Sequence, residues 1–365
     1  MMNVPYVDLA SQYQNHRREI LDIVDRVLSR GQYILGDEVE KFERSFATLL
    51  GCRNAVSVAN GTDSLILAMK ALGIGPEDEV ITAPNSWISS ASSIALTGAR
   101  PVFVDVLPDQ TMDPKEVEKA FTKKTKAIMP VHLTGKCADM NPILELSRIK
   151  KIPVIEDAAQ SVGSKYFGRH AGTMGTIGSF SLHPLKNLNA CGDAGILVTD
   201  DDRLAEKLRL LKNHGLVDRN TVSQWGYNSR LDTLQAAILN YRLGLLESII
   251  DKRRNNAKFY RAELGHKIEC PIDNDQCFDV YHLFVIQVEK RNELKDFLAT
   301  RGIQTAIHYP VPIHLQPAAK YLGYSRGIFP NVEKQSESIL SLPIHQDLTH
   351  EQLRFVASTI LEFYG

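Results

Sequence analysis

The chain has no long apolar run, no paired cysteines and no surplus of charge of either sign. Without a run of about 20 apolar residues, no helical membrane span is expected. The five cysteines (Cys52, Cys137, Cys191, Cys270, Cys277) are odd in number and form no CxxC pair. That argues against a disulfide frame or a cysteine zinc site and for reduced thiols in the cytoplasm. Forty-two Lys and Arg stand against 43 Asp and Glu, leaving no global field for nucleic acid or an anionic membrane. The opening MMNVPYVDLASQYQ lacks a basic stretch followed by an apolar core, so it does not read as a secretory signal. No GxxxxGK(S/T) is present, and GTMGTIG (172–178) has the wrong glycine spacing for a dinucleotide fingerprint. There is no internal repeat and no low-complexity segment.

What is present is ordinary globular composition: 365 residues, 44% hydrophobic and 23% charged. That is enough for a large domain and a smaller one. Short apolar strands alternate with helical segments over the first half. Strands are read at 56–60, 80–84, 101–106, 127–132 and 153–157. Helices are read at 36–50, with Asp37 as its cap, and at 61–73, 86–97, 114–122 and 141–150. The alternation predicts an α/β fold, a mostly parallel sheet covered by helices on both faces. Ligands in such sheets sit at the carboxyl ends of the strands. Helical patterns follow at 201–211 and, as one long element, at 232–264. A strand at 281–288, a helix at 291–302, a Pro/His/Tyr-rich loop and a last helix near Thr349 suggest a smaller α+β domain. The division placed on this pattern is 1–250 and 251–365.

One stretch, GSFSLHPLKNLNACGDAGILVTD (178–200), sets a single lysine, Lys186, between two strand-like runs. A lysine there is ordinarily a solvated loop residue. Small, kinked and apolar neighbours, with His183 and Pro184 just before it, also suit an amine of depressed pKa acting as a nucleophile. Asn60-Gly61-Thr62-Asp63 joins a strand to a helix, which makes either an N-cap at Thr62 or a phosphate seat. Trp87, one of two tryptophans, lies past a strand end as core packing or as a shelf for a flat ring. Asp157 ends a buried strand and Gln160 follows it. No histidine or cysteine lies at ligand spacing to Asp157, so a metal is not expected; a carboxylate there can pair with a protonated ring nitrogen. A phosphate seat, an aromatic shelf, a carboxylate and a reactive lysine together describe what pyridoxal phosphate requires.

The blocks YILGDEVEKFE (33–43), NGTDSL (60–65), VIEDAAQSVGSKY (154–166), SFSLHPLKN (179–187), GYNSRLDTLQAAIL (226–239) and IHYPVPIHLQP (307–317) carry a resemblance that spans nearly the whole chain. It resembles the sugar aminotransferases of the DegT/DnrJ/EryC1/StrS family, fold type I pyridoxal phosphate enzymes. That resemblance implies Lys186 as the Schiff-base lysine and proton carrier, with Asp157 on the pyridine nitrogen. It places Gln160 at the ring hydroxyl, Trp87 against the ring, and Gly61, Thr62 and Ser181 at the phosphate. Asn228 would reach the phosphate from the second subunit of a homodimer with shared active sites. His308, Tyr309 and His314 take substrate-side positions. GDAG (192–195) departs from the family's common GxGG, Ala194 standing for a glycine. A dehydratase branch replaces the lysine by histidine; Lys186 argues against it. The expected reaction is transfer of an amino group from glutamate, or glutamine, to a nucleotide-linked keto-sugar. The product would serve a surface polysaccharide, such as lipopolysaccharide O-antigen, or a secondary metabolite. Alternatives are a free keto-sugar acid, such as 8-oxo-3-deoxy-octulosonate, and a non-catalytic regulatory protein that keeps the fold.

Overall fold

Seven strands align because their apolar runs are buried on both faces. The computed structural model describes residues 2–365. In chain order the strands are β1 (Asn54–Val58), β2 (Glu79–Thr82), β3 (Arg100–Phe103), β4 (Thr125–Met129) and β5 (Ile155–Asp157). Then come β6 (Lys165–Tyr166) and β7 (Arg169–His170), β8 (Ile177–Ser181), β9 (Gly195–Thr199), β10 (Cys277–Phe278), β11 (Phe284–Gln287) and β12 (Ile339–Leu342). The large sheet runs β1-β9-β8-β5 and continues, through bridges Ile128–Val154 and Val131–Asp157, into β4-β2-β3. Within it only β9 is antiparallel to its neighbours. Alternate residues along a strand enter opposite cores. Ile196 and Val198 pack with Phe46, Phe103 and Phe180, whereas Leu197 packs with Leu65, Met69 and Ile177.

A third core lies in the C-terminal part, where β11 and β12 pair and helices 246–264, 291–300 and 350–364 cover them. Segments cross between the cores. Val4 packs with Tyr260 and Phe284, while Ile313, Phe329 and Val332 pack with the large sheet.

Three local readings are corrected. Gly36, not Asp37, is the N-cap of helix Asp37–Leu50; Asp37 is its first residue, where a carboxylate still favours the helix dipole. The single helix expected over 232–264 is two, Thr233–Leu243 and Leu246–Leu264, broken at Gly244 and Leu245. Glycine loses more backbone freedom than any other residue on becoming helical, so the interruption falls there. Helices Leu9–Asn15 and Arg17–Arg30 were not anticipated; the second buries Ile20, Ile23 and Val27 against Ala237 and Ile238. Thr349 caps the last helix with a reciprocal bond to Gln352.

Candidate active site

Because β1, β2, β5 and β8 run parallel, their carboxyl ends share one edge of the sheet. A cavity of about 700 Å³ opens there, a size typical of small-molecule sites. Gly61, Thr62, Trp87, Asp157, Gln160, Ser181, Lys186, His308 and Tyr309 all line it.

At one end, helix Gly61–Ala71 begins. Asn60, not Thr62, caps it, its Oδ1 accepting from the Asp63 N–H at 2.8 Å. That leaves the N–H groups of Gly61 and Thr62 without an intrahelical acceptor. The Thr62 hydroxyl is hydrogen-bonded to that of Ser89 at 2.8 Å. A Cβ on Gly61 would lie 2.7 Å from Ser181 Cβ, so only glycine lets the turn close on Ser181. Two N–H groups and three hydroxyls make a cradle suited to a phosphate.

At the other end Asp157 closes β5, 4% exposed. Neighbouring strand residues face opposite ways, which divides the work of Glu156 and Asp157. Glu156 turns from the cavity. It accepts from the N–H of Gly172 at 2.7 Å and of Met174 at 2.6 Å, and pairs with His132 at 2.8 Å. The loop GTMGTIG therefore wraps a carboxylate of its own chain. Asp157 accepts from Ser90 Oγ at 2.6 Å and from the Ala159 N–H at 3.2 Å. Burial pushes its carboxyl above the usual range, against the Ser90 bond and the Lys186 charge.

Lys186 lies in the loop between β8 and β9, its N–H donating to His183 O at 2.8 Å. Burial lowers its amine to about 8, with Asp157 opposing. Burial, and secondarily Lys186, also holds His308 down to about 4 and His282 well below its ordinary value. The imidazoles beside the amine are thus neutral. Gln160 accepts the Thr134 N–H at 2.6 Å and donates to Tyr309 OH at 3.3 Å. One amide hydrogen is left over for a ring hydroxyl. Trp87, 57% exposed, lies with its ring 5.7 Å from that of Tyr309 at the mouth.

Two sequence candidates are not in this cavity. His314 is buried elsewhere, its Nε2 3.1 Å from Glu333 Oε1 and its ring edge-on to Phe329. The chain turns it inward after Pro312, away from the lining of this cavity. Asn228 is exposed and lies outside the lining. Its neighbour Ser229 donates to Asp63 at 2.6 Å, and Asp232 is the N-cap of the next helix. Ser90 and His282 escaped the sequence reading. Ser90 is one of several serines in SSASSIAL, and no local pattern marks which serine meets a carboxylate 67 residues away.

The donor set fits pyridoxal phosphate: a phosphate cradle, a buried carboxylate for the ring nitrogen, an amide for the hydroxyl, and a lysine of lowered pKa. A model of the DegT/DnrJ/EryC1/StrS aminotransferase family matches residues 14–361. The chain belongs to that family. It is a pyridoxal-phosphate-dependent aminotransferase of the fold type I architecture.

A relative from Streptomyces venezuelae, "dTDP-3-amino-3,4,6-trideoxy-alpha-D-glucose transaminase", is 41% identical over 99% of this chain and 96% of its own. A "pleiotropic regulatory protein" of Geobacillus stearothermophilus is 43% identical over 100% of this chain and 99% of its own. The crystal structure of S. venezuelae DesV in complex with a ketimine intermediate superposes with a TM-score of 0.97 at 41% identity. That match covers 100% of this chain and 99% of DesV.

Proposed function

We propose that this aminotransferase moves an amino group from glutamate to a nucleotide-linked keto-sugar. The observation that carries the reading is Lys186, an amine lowered to about 8 in the same cavity as the buried Asp157. A lysine with a sizeable neutral fraction near physiological pH can take a proton from one carbon and return it to another. Bound pyridoxal phosphate supplies the aldehyde and the electron sink for that exchange. Asp157, when ionised, would hold the ring nitrogen protonated. Gly61, Thr62 and Ser181 would hold the phosphate, Gln160 the ring hydroxyl, and Trp87 would lie against the ring. Neutral His308 and Tyr309 line the substrate side without competing for Lys186's proton. The S. venezuelae transaminase, named for a dTDP-sugar, supports a nucleotide-linked acceptor.

In this reading residues 1–250 form the cofactor domain and 251–365 the smaller one, with the first residues and 313–332 exchanged across the boundary. The assembly is a homodimer in which Asn228 serves the partner's phosphate. Its support is the exposed apolar loop around it, Val217, Val222, Tyr227 and Trp225, the last 92% exposed. Such a cluster marks an interaction surface. Five free cysteines support a reducing, cytoplasmic setting. No helix among the described residues is long and apolar enough to cross a membrane. An amino sugar for a surface polysaccharide or a secondary metabolite is the product expected from the family relationship.

The test offers purified enzyme glutamate with dTDP- and UDP-linked keto-sugars and with free keto-sugar acids. Absorbance and product mass are followed. A visible band bleached by borohydride and amine transfer to a nucleotide sugar are expected. Transfer only to a free keto-sugar acid would replace the proposed acceptor. An enzyme that takes up the cofactor yet transfers to nothing would favour a regulatory role.

A further inference from the structure

The serine-rich helix Ser89–Leu96 touches both ends of the cofactor seat, and its sequence role is otherwise unexplained. Ser89 meets Thr62 at the phosphate end, and the next residue meets Asp157 at the nitrogen end. Behind Ser90 stands Ser86, its Oγ 2.8 Å from that of Ser90. All three members of this second chain are buried: Ser86 is 5% exposed, Ser90 1% and Asp157 4%.

The direction of the hydrogen bonds follows from valence. An ionised carboxylate only accepts, so Ser90 must donate to Asp157. A hydroxyl has one hydrogen, so Ser86 must then donate to Ser90. The result is a one-way relay from Ser86 through Ser90 to Asp157, each bond polarising the next. At 2.6 Å the last bond is in the range of charge-assisted O–H···O⁻ contacts. No proton is transferred; the two hydroxyls keep theirs throughout.

We propose that Ser90, backed by Ser86, is a positioning residue that holds the Asp157 carboxylate ionised and turned toward the cofactor's ring nitrogen. The proposal rests on the reading of Asp157 as that nitrogen's partner. Burial favours the protonated acid, and the acid cannot keep the nitrogen charged. Asp157 has one donor on each oxygen, Ser90 on Oδ2 and Ala159 N–H on Oδ1. Removing the Ser90 hydroxyl leaves one oxygen buried without a protein donor. A serine that merely packs the helix on the sheet would instead affect every ligand of the cavity alike.

The discriminating probe is a pair of ligands: pyridoxal phosphate and its analogue with C–H in place of the ring nitrogen. Both are titrated into cofactor-free protein of wild type, Ser90→Ala, Ser90→Thr and Ser86→Ala. Wild type should prefer the natural cofactor. In Ser90→Ala that preference should fall about tenfold or more, the scale of a hydrogen bond to a charged group. Affinity for the carbon analogue should stay within about twofold, well under the tenfold that 1.4 kcal/mol represents. Ser90→Thr, which keeps the hydroxyl, should restore the preference, and Ser86→Ala should show a smaller loss in the same direction. If Ser90→Ala weakens both ligands equally, or neither, Ser90 is structural and the proposal fails. Should Ser90→Ala not fold, the same reading is taken from Ser86→Ala, where an unchanged preference overturns the relay. A wild type that does not distinguish the two ligands would overturn the role of Asp157, and that of Ser90 with it.

Discussion

Lys186 shows how burial alters one side chain's chemistry. Burial favours the uncharged amine, and the nearby Asp157 charge restores only part of the loss, leaving the pKa at about 8 instead of 10.5. The free amine is the nucleophile, so its population rises as pH climbs through 8 and is nearly complete one unit above. Covalent capture of pyridoxal phosphate by cofactor-free protein should therefore speed up about tenfold per pH unit below 8 and level off near pH 9. Rapid-mixing absorbance measures it; a rate still climbing steeply at pH 10 would show an ordinary lysine. Asp157→Asn keeps the shape and removes the charge. We expect a fall in turnover of about two to four orders of magnitude, on the scale of roughly 3–5 kcal/mol for a buried charge partner removed. A loss of less than about tenfold would mean that Asp157 does not hold the nitrogen. Asp157 was legible in the sequence as a carboxylate at a strand end and Lys186 as a lysine in the loop between two strands. The neutral state of His282 and His308 was not, since it arises first from burial in the folded core and only secondarily from the Lys186 charge, about 100 residues or more away along the chain.

At the scale of elements, the phosphate turn depends on a glycine from another strand. β9 begins at Gly195, opposite Val58, and the chain leaving β1 crosses directly over it. A Cβ at Gly195 would stand 2.3 Å from Asn60 O, and backbone cannot swing aside as a side chain does. Gly195→Ala should lift the Asn60–Gly61 turn, lower stability by about 1–3 kcal/mol and weaken cofactor binding. Gly192→Ala is the contrast, because its Cβ would meet only the flexible Gln235 amide at 3.3 Å. Thermal melts and cofactor titration of the pair should separate them, and equal behaviour would refute the crossing as the cause. The alternation of strands and helices was readable from the sequence because apolar periodicity is local. The break at Gly244 was missed because helical periodicity continues on both sides of it. The helices before residue 31 became visible only once Ala237 and Ile238 supplied the surface on which they pack.

For the whole molecule, the dimer reading makes a prediction that no single chain can satisfy. A Lys186→Ala subunit lacks the amine, and an Asn228→Glu subunit sets a carboxylate where it would repel a phosphate. If Asn228 acts on the partner's site, a mixed dimer gathers both defects in one site and leaves the other whole. Each parent should be inactive and the purified mixed dimer should recover about half of the wild-type activity, one site of two by the mass balance of the isologous pair. The two chains are co-expressed with different tags and the mixed species isolated before assay. No recovery in that species would refute a shared site.

From the sequence alone came the α/β class, the family resemblance, and the types of group that chemistry with pyridoxal phosphate needs. These are properties of short segments: a run of apolar residues, a glycine turn, a lysine between strands. Tertiary structure decided which of those groups meet. It joined Gln160 to Tyr309 across 149 residues and Ser90 to Asp157 across 67. It turned His314 into the core and directed the GTMGTIG loop onto Glu156. The physical reason is range. Periodicity and turn chemistry act over a few residues, whereas burial, charge state and hydrogen-bond partners depend on whatever the fold brings alongside.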